Sequence, residues 1–416
     1  MNDYNAISLW KDVTPELWND WHWQIRNRLS SVEQLSQVIN LEETEKHIIR
    51  DSLNTLRMAV TPYYASLMDQ NDPEDPIRIR SVPTMMETMI MPEDMVDPLH
   101  EDIDSPAPGL THRYPDRVLL LVTDQCGDYC RHCTRRRTVG ETDRARTKEE
   151  IDLGIDYIRK TKGVRDVVIS GGDPLTLETG RLEYIISALH SIDHVEMVRL
   201  GTAAPVTFPQ RITEEFVEML SKYSPIFLNT HFIHPKEITE EAKAALKLLA
   251  NAGIVLGNQT PLLRGINDCP YIMKELVQQL TYNRVRPYYI YQCDLSQGIS
   301  HFRTSVQEGI DISEFLQGHT SGLAIPQFMI DAPGGGGKIP VPRNLVGRDG
   351  RIVYVRNFEG DTFQYVEPEN LMAPACPQAC QICYQRVERG QDMPPVGLQK
   401  NFHRGVWQTI NARPNP

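Results

Sequence analysis

The sequence predicts an α/β protein: a partial TIM-like barrel of six strand–helix units, (β/α)6, with a helical region before it and an irregular segment after it. Three observations lead there. Apolar runs of strand length occur at 117–122, 166–170, 195–200, 226–230, 254–258 and 285–291. Amphipathic stretches of helical period lie between most of them, at 147–161, 178–191, 212–223, 236–252 and 270–281. A loop bearing three cysteines stands directly behind the first run, and barrel enzymes carry their chemistry on loops at strand C-terminal ends. Repeated strand–helix units imply a parallel sheet, and six of them favour an incomplete barrel over the eight-stranded form.

Residues 12–70 read as helices. Thr14-Pro15-Glu16 is a helix start, with a capping hydroxyl followed by a proline whose missing N–H costs nothing there. Trp18, Trp21, Ile25 and Leu29 follow at helical spacing and are expected to pack against the rest of the protein. Residues 71–116 hold Pro73, Pro76, Pro83, Pro92, Pro98, Pro106 and Pro108 among many acids, the composition of an extended connector draped over a surface. From Arg117 to about His319 strands and helices alternate; residues 320–416 are less regular, rich in Gly and Pro. The expected organisation is therefore 1–116, a helical region with its connector; 117–338, the barrel core; and 339–416, a C-terminal region.

The chain has 416 residues and a net charge of −12, which argues against a nucleic-acid surface. No apolar run approaches membrane-spanning length. Met1-Asn-Asp-Tyr-Asn has no basic segment leading into an apolar one, so no secretory signal is expected. Eight cysteines without an export signal point to thiols and metal ligands in a reducing cytoplasm.

Cys126, Cys130 and Cys133 follow the first strand as C-x3-C-x2-C. Three thiolates on one loop can hold three irons of a four-iron cluster and leave the fourth open for a small chelate such as the amine and carboxylate of S-adenosylmethionine. A zinc site is the competing reading, but no clean fourth ligand lies near, His132 being wedged between the cysteines. One strand–helix unit later comes Ser170-Gly-Gly-Asp173. Its backbone carbonyl and N–H groups are candidates to receive an α-ammonium, glycines allowing close approach; taken alone, such a stretch is more often a turn.

Asp331-Ala-Pro-Gly-Gly-Gly-Gly-Lys338 is not a nucleotide-triphosphate loop, because Ala332 stands at the first glycine position and Ile339 where Ser or Thr is required. A mobile glycine chain that delivers Lys338 into an apolar pocket, where it loses its proton and forms a Schiff base with pyridoxal 5′-phosphate, is one reading. A solvated lysine on a surface loop is the other, and sequence physics alone favours it. Arg113 and Arg117, four residues apart, suit a phosphate; Thr134-Arg-Arg-Arg137 has an arginine to spare for a carboxylate. Cys376, Cys380 and Cys383 repeat the C-x3-C-x2-C spacing. They fit a second cluster or a structural zinc completed by a lone cysteine, with Cys269 the candidate and Cys293 the buried core thiol.

Taken together, Cys126–Cys133, Ser170–Asp173, Arg286-Pro-Tyr-Tyr-Ile-Tyr-Gln-Cys-Asp294 and Asp331–Lys338 resemble the lysine 2,3-aminomutase family of radical S-adenosylmethionine enzymes, over nearly the whole length. The resemblance implies a partial barrel of the radical SAM type. It implies an isomerase that moves the α-amino group of L-lysine to Cβ by a 5′-deoxyadenosyl-radical route on a pyridoxal-bound substrate. It assigns a [4Fe–4S] cluster to Cys126, Cys130 and Cys133, and the Schiff-base role to Lys338. Arg113, Tyr114 and Arg117 fall to the pyridoxal phosphate; Ser170, Gly171, Gly172, Asp173, His132, His231 and Gln259 fall to S-adenosylmethionine. Arg135 falls to the substrate carboxylate, and Asp294 with Asp331 to the far ammonium. A C-terminal zinc on Cys269, Cys376, Cys380 and Cys383, a homodimer or homotetramer, and an electron donor such as flavodoxin or ferredoxin complete the implied set. The two aspartates favour lysine, with arginine and ornithine behind it; a glutamate-handling relative is expected to lack both acids. A non-catalytic iron–sulfur or zinc scaffold is the alternative of another class.

Overall fold

The computed structural model describes residues 4–53, 57–357, 359–369, 400–401 and 406–409. One nine-stranded sheet carries the architecture. β1 (Leu110–Tyr114) pairs antiparallel with β2 (Arg117–Leu121). Then β3 (Asp166–Ser170), β4 (Met197–Gly201), β5 (Ile226–Thr230), β6 (Val255–Leu262), β7 (Arg286–Gln292) and β8 (Gln327–Ala332) follow β2 as parallel neighbours in chain order. β9 (Gly337–Pro340) returns antiparallel along β8.

Helices Lys148–Lys160, Thr179–His190, Glu214–Ser221, Glu240–Asn251, Pro270–Tyr282 and Val306–His319 occupy the six intervals from β2 to β8. The expected (β/α)6 barrel is therefore present. Period-two burial explains why these strands form: Val118 and Leu120, Val167 and Ile169, Val198 and Leu200 are all buried, while their neighbours turn to the other face. Local signals set the helix ends. Thr147 and Ser305 each close a capping box, which satisfies N–H groups the helix leaves orphaned.

Three features depart from the sequence reading. β8 and β9 occupy part of the stretch that reads as irregular, so Asp331 and Lys338 lie on paired strands. Beyond them β10 (Leu345–Asp349), β11 (Ile352–Arg356) and β12 (Thr362–Val366) form a small antiparallel sheet. Tyr365 anchors it, donating to the Cys293 carbonyl at 2.9 Å and accepting from Gln292 at 3.0 Å. The connector is not merely draped: Asp75 caps a helix over Pro76–Ser81 whose Ile77, Arg78, Arg80 and Ser81 are buried. Proline at the first helical position starts that helix as readily as proline elsewhere prevents one.

In the N-terminal region the tryptophans pack inward, but on two short helices rather than one, and Leu29 lies beyond both, bridged to Val60. Thr14 caps Pro15–Trp18, and Asp20 caps a second helix, Trp21–Arg26. Trp18, Trp21 and Leu29 are buried, with Tyr4 stacked on Trp18 at 4.0 Å.

Candidate active site

The cysteine loop leaves β2 and is clamped by the N-terminal region. Thr61 N–H donates to the Gly127 carbonyl at 3.1 Å, Tyr129 N–H to Ala59 at 2.9 Å and Arg131 N–H to Arg80 at 2.7 Å. Arg28 donates to the Cys126 carbonyl at 2.7 Å while its fork holds Asp143. Cys126, Cys130 and Cys133 are free and partly exposed, and burial pushes all three thiols up. Thiols so placed stay protonated until a metal takes the proton's place. Among the described residues no three His, Cys, Asp or Glu side chains converge on a single ion. A cluster makes no such demand, since each thiolate binds a different iron. Basic groups also stand close: Arg80 reaches the Cys130 sulfur, and Arg135 and Arg136 act on Cys133. The donor set fits a cluster.

Ser170–Asp173 packs directly on this loop. Gly172 N–H donates to the Thr123 carbonyl and Asp173 N–H to the Gln125 carbonyl, both at 2.7 Å. Gly171 has φ +146°, and a Cβ there would sit 2.2 Å from the Thr123 oxygen, so no other residue fits. These N–H groups are spent, and an ammonium needs acceptors in any case; the expectation that N–H groups of this loop receive it is corrected. The Asp173 carboxylate is spent too. It accepts from Thr202 Oγ1 at 2.6 Å, Ala203 N–H at 2.8 Å and Leu175 N–H at 3.0 Å.

Just past β5, His231 Nδ1 lies 3.3 Å from the carbonyl of Gln259 in the middle of β6. Burial, aided by the Arg80 charge, pulls His231 down to about 4, so it is neutral at pH 7. His132 is pulled well down by burial, and its Nδ1 is buried without a partner, as is Thr230 Oγ1 at the end of β5. The orphaned His132 nitrogen, next to Cys133, suits a polar ligand such as S-adenosylmethionine.

The far side of the sheet holds Lys338. Its ammonium sits on both oxygens of Asp331, at 2.9 and 2.8 Å, and 4.7 Å from the Tyr291 ring centroid. Burial alone lowers a lysine, but the Asp331 charge, with Tyr291 and Tyr114, outweighs it and holds Lys338 high. The expectation of an apolar pocket that strips the proton is thereby corrected. So is that of a mobile chain: Gly334 N–H is tied to the Pro98 carbonyl at 2.8 Å, and Tyr114 Oη accepts from Lys338 N–H at 2.8 Å. At Gly337, φ is +80° and a Cβ would lie 2.9 Å from Tyr114 Oη. Glycine is therefore required where the strand passes the Tyr114 side chain. Arg117 lies 3.9 Å from the Tyr114 ring centroid, and Arg113 holds Asp104 at 2.8 Å beside the Leu99 carbonyl. Arg117 also donates to Asp116 at 2.9 Å, so each of these arginines already holds an acid, and a phosphate of pyridoxal 5′-phosphate here would take the place of those carboxylates.

Asp294 completes this pocket. Burial, then the Asp331 charge, pushes its carboxyl up to about 7, against a 2.6 Å hydrogen bond from Thr134 and the pull of Lys338. Arg135 is close enough to feel Asp294, but its fork is taken by Glu101 at 2.8–3.1 Å. Sequence reasoning missed Arg28, Arg80, Glu101, Thr134 and Tyr291. Only Tyr291 left a signal, since Tyr289 and Tyr291 alternate onto one face of β7. Cys293 is buried among Ile233, Leu263, Ile299 and Phe302, as expected. Cys269 stands at the N-cap position of helix Pro270–Tyr282 and is partly exposed. Cys376, Cys380 and Cys383 lie outside the described residues.

A cysteine triad on the first parallel strand's loop of a (β/α)6 barrel defines a radical SAM enzyme, and the radical SAM superfamily model matches residues 120–276. The model for lysine-2,3-aminomutase matches residues 313–411. L-lysine 2,3-aminomutase of Clostridium subterminale is 54% identical, over 94% of this chain and 97% of its own. That of Fusobacterium nucleatum is 57% identical over 90% and 89%, and glutamate 2,3-aminomutase of Clostridioides difficile 49% over 83% and 82%. Streptococcus suis SuiB bound to S-adenosylmethionine overlays with a TM-score of 0.40 at 12% identity, over 52% of this chain and 48% of that one, too distant to add anything. The chain belongs to the lysine 2,3-aminomutase family, a group of radical SAM isomerases. Membership implies a [4Fe–4S] cluster, S-adenosylmethionine and pyridoxal 5′-phosphate, and it removes the scaffold alternative.

Proposed function

We propose that this protein moves the α-amino group of L-lysine to Cβ, giving L-β-lysine. The observation that carries this reading is the acid pair: Asp294 and Asp331 feel each other's charge in one pocket with Lys338. Two neighbouring buried carboxylates are costly without a cation. When Lys338 is engaged elsewhere, the far ammonium of lysine is the cation that fits. A glutamate side chain would bring a third negative charge to the same place. Relatives named for lysine at 54% and 57% identity support the same choice.

In this reading Cys126, Cys130 and Cys133 hold the cluster, Lys338 the pyridoxal carbonyl carbon, and Arg113 and Arg117 its phosphate. When bound, the cluster with S-adenosylmethionine supplies hydrogen-atom abstraction, and pyridoxal phosphate supplies the conjugated system across which the nitrogen moves. The residues position and protect. Asp294 and Asp331 fix the far end of the substrate, and Arg135 turns from Glu101 to its carboxylate. His231 and Gln259 line the cysteine side as neutral groups. Holding reacting atoms in register is the larger part of what a protein adds to such chemistry.

Zinc on Cys269, Cys376, Cys380 and Cys383, assembly into a dimer or tetramer, a flavodoxin- or ferredoxin-like electron donor and a cytoplasmic setting belong to the same proposal. No described helix is long and apolar enough to cross a membrane. Anaerobic holoenzyme offered lysine, arginine, ornithine and glutamate in parallel tests the reading. β-Lysine is the expected main product; preferential turnover of glutamate overturns it.

A further inference from the structure

Arg80 is the penultimate residue of the buried helix Pro76–Ser81 and is 1% exposed. Its three nitrogens point in three directions. Nη1 donates to Glu237 at 2.5 Å, Nε stands 3.4 Å from Asp128 without a well-aligned bond, and Nη2 donates to the Cys130 sulfur at 3.4 Å. The geometry is over-determined. Tyr64 Oη donates to the same Glu237 oxygen at 2.6 Å, and Arg131 N–H holds the Arg80 carbonyl. The residue that follows Cys130 is thereby tied to the backbone of the arginine that reaches its sulfur.

As a thiol, Cys130 points toward Asp128 at 3.5 Å. As a metal-bound thiolate it can only accept, and Arg80 is the donor in reach. Balancing Glu237 and Asp128 would not require the third limb to meet a sulfur. We propose that Arg80 is a positioning residue for the cluster, which raises its reduction potential through a charge-assisted hydrogen bond to Cys130. The proposal rests on the reading that Cys126, Cys130 and Cys133 bind that cluster. The step concerned is the gain of one electron by the [4Fe–4S]2+ form from a low-potential one-electron donor, with no proton moved and no bond broken. Added negative charge spreads onto the thiolates, so a donor fixed at one sulfur favours the reduced form more than the oxidised one. A dry surrounding strengthens that preference.

The test is an anaerobic redox titration of reconstituted wild type, Arg80→Lys and Arg80→Gln, with dithionite as reductant and the reduced cluster read by electron paramagnetic resonance. Iron per chain and thermal midpoint are measured alongside. In Arg80→Gln the ratio of oxidised to reduced cluster at the wild-type midpoint is expected to rise roughly three- to tenfold, as when part of a charge-assisted bond is felt only after reduction. Arg80→Lys, which keeps the charge and loses the fork, is expected between the two; it carries the test if Arg80→Gln does not fold. Glu237→Gln loosens the scaffold without touching the sulfur, and is expected to lower the thermal midpoint more than it moves the potential. Full iron content with an unchanged potential in the arginine variants overturns the role of Arg80. A wild type that holds no four-iron cluster overturns the reading beneath it instead.

Discussion

Lys338 and Asp331 face each other in register across the antiparallel β8–β9 pair, with the ammonium on both carboxylate oxygens. In the proposed reading, the residue that would bind the aldehyde is held charged by the residue that would bind the substrate cation, so the two tasks exclude each other in time. Lys338 would leave Asp331 when the cofactor is loaded, and the vacated carboxylate would then be free for the substrate's ammonium.

Asp331→Asn should therefore speed cofactor loading while it weakens lysine turnover. Without the carboxylate, burial dominates and Lys338 loses its proton more easily. Borohydride fixation of pyridoxal 5′-phosphate at Lys338, followed against pH, should shift toward acid in the variant. An unchanged pH profile would mean that the ion pair does not control the amine.

Lys338→Ala should abolish borohydride fixation altogether. It also strips the acid pair of its cation, so Asp294 should titrate higher still, because the Lys338 charge now pulls it down. Label retained in the variant after borohydride treatment would move the Schiff-base role to another lysine.

Asp294, with a carboxyl pushed up to about 7 by burial and by Asp331, should make substrate binding pH-dependent if it holds the far ammonium. The sign follows from charge. Below 7 the group is mostly protonated and a cation must displace the proton; above 7 it is ionised and ready. Lysine affinity should rise by up to about tenfold per pH unit up to 7 and level off only higher, because Asp294 titrates higher once Lys338 no longer lends it a charge. Calorimetry in buffers of different ionisation enthalpy should detect proton release near pH 6 that fades only above 7. Asp294→Ala should remove that release and cost about 2–5 kcal/mol of lysine binding. Near-normal turnover in this variant would remove Asp294 from the pair that selects substrate.

The barrel was legible because its signal is local. Residues 118–122 and 167–169 declare strands as continuous apolar runs of strand length, and Thr147 with Glu150 declares a helix start. The motif residues were legible as a set of types in order. Their partnerships were not. The Lys338–Asp331 pair depends on strand register, which four glycines conceal by reading as a mobile chain. Arg80 lies in a proline-rich stretch, and its partners Cys130 and Glu237 are 50 and 157 residues away, so no periodicity marks it. Arg135 reads as a free cation for the same reason, since Glu101 comes to it only through the fold.

Asp173 separates a contact from a support. By resemblance it belongs to the S-adenosylmethionine site, but its buried carboxylate accepts three hydrogen bonds from residues 175, 202 and 203 and ties the loop after β3 to the loop after β4. Burial raises this carboxyl, and the three donors pull the other way. Asp173→Ala leaves those donors without an acceptor and should cost roughly 2–4 kcal/mol of stability. The glycines beside it, held against Thr123 and Gln125, would then lose one of their anchors. Calorimetry and equilibrium dialysis with S-adenosylmethionine together decide the role. A lowered thermal midpoint with a parallel loss of binding marks a support. A midpoint left unchanged while binding disappears would make Asp173 a direct ligand, and would require its carboxylate to turn away from Thr202 when the ligand arrives.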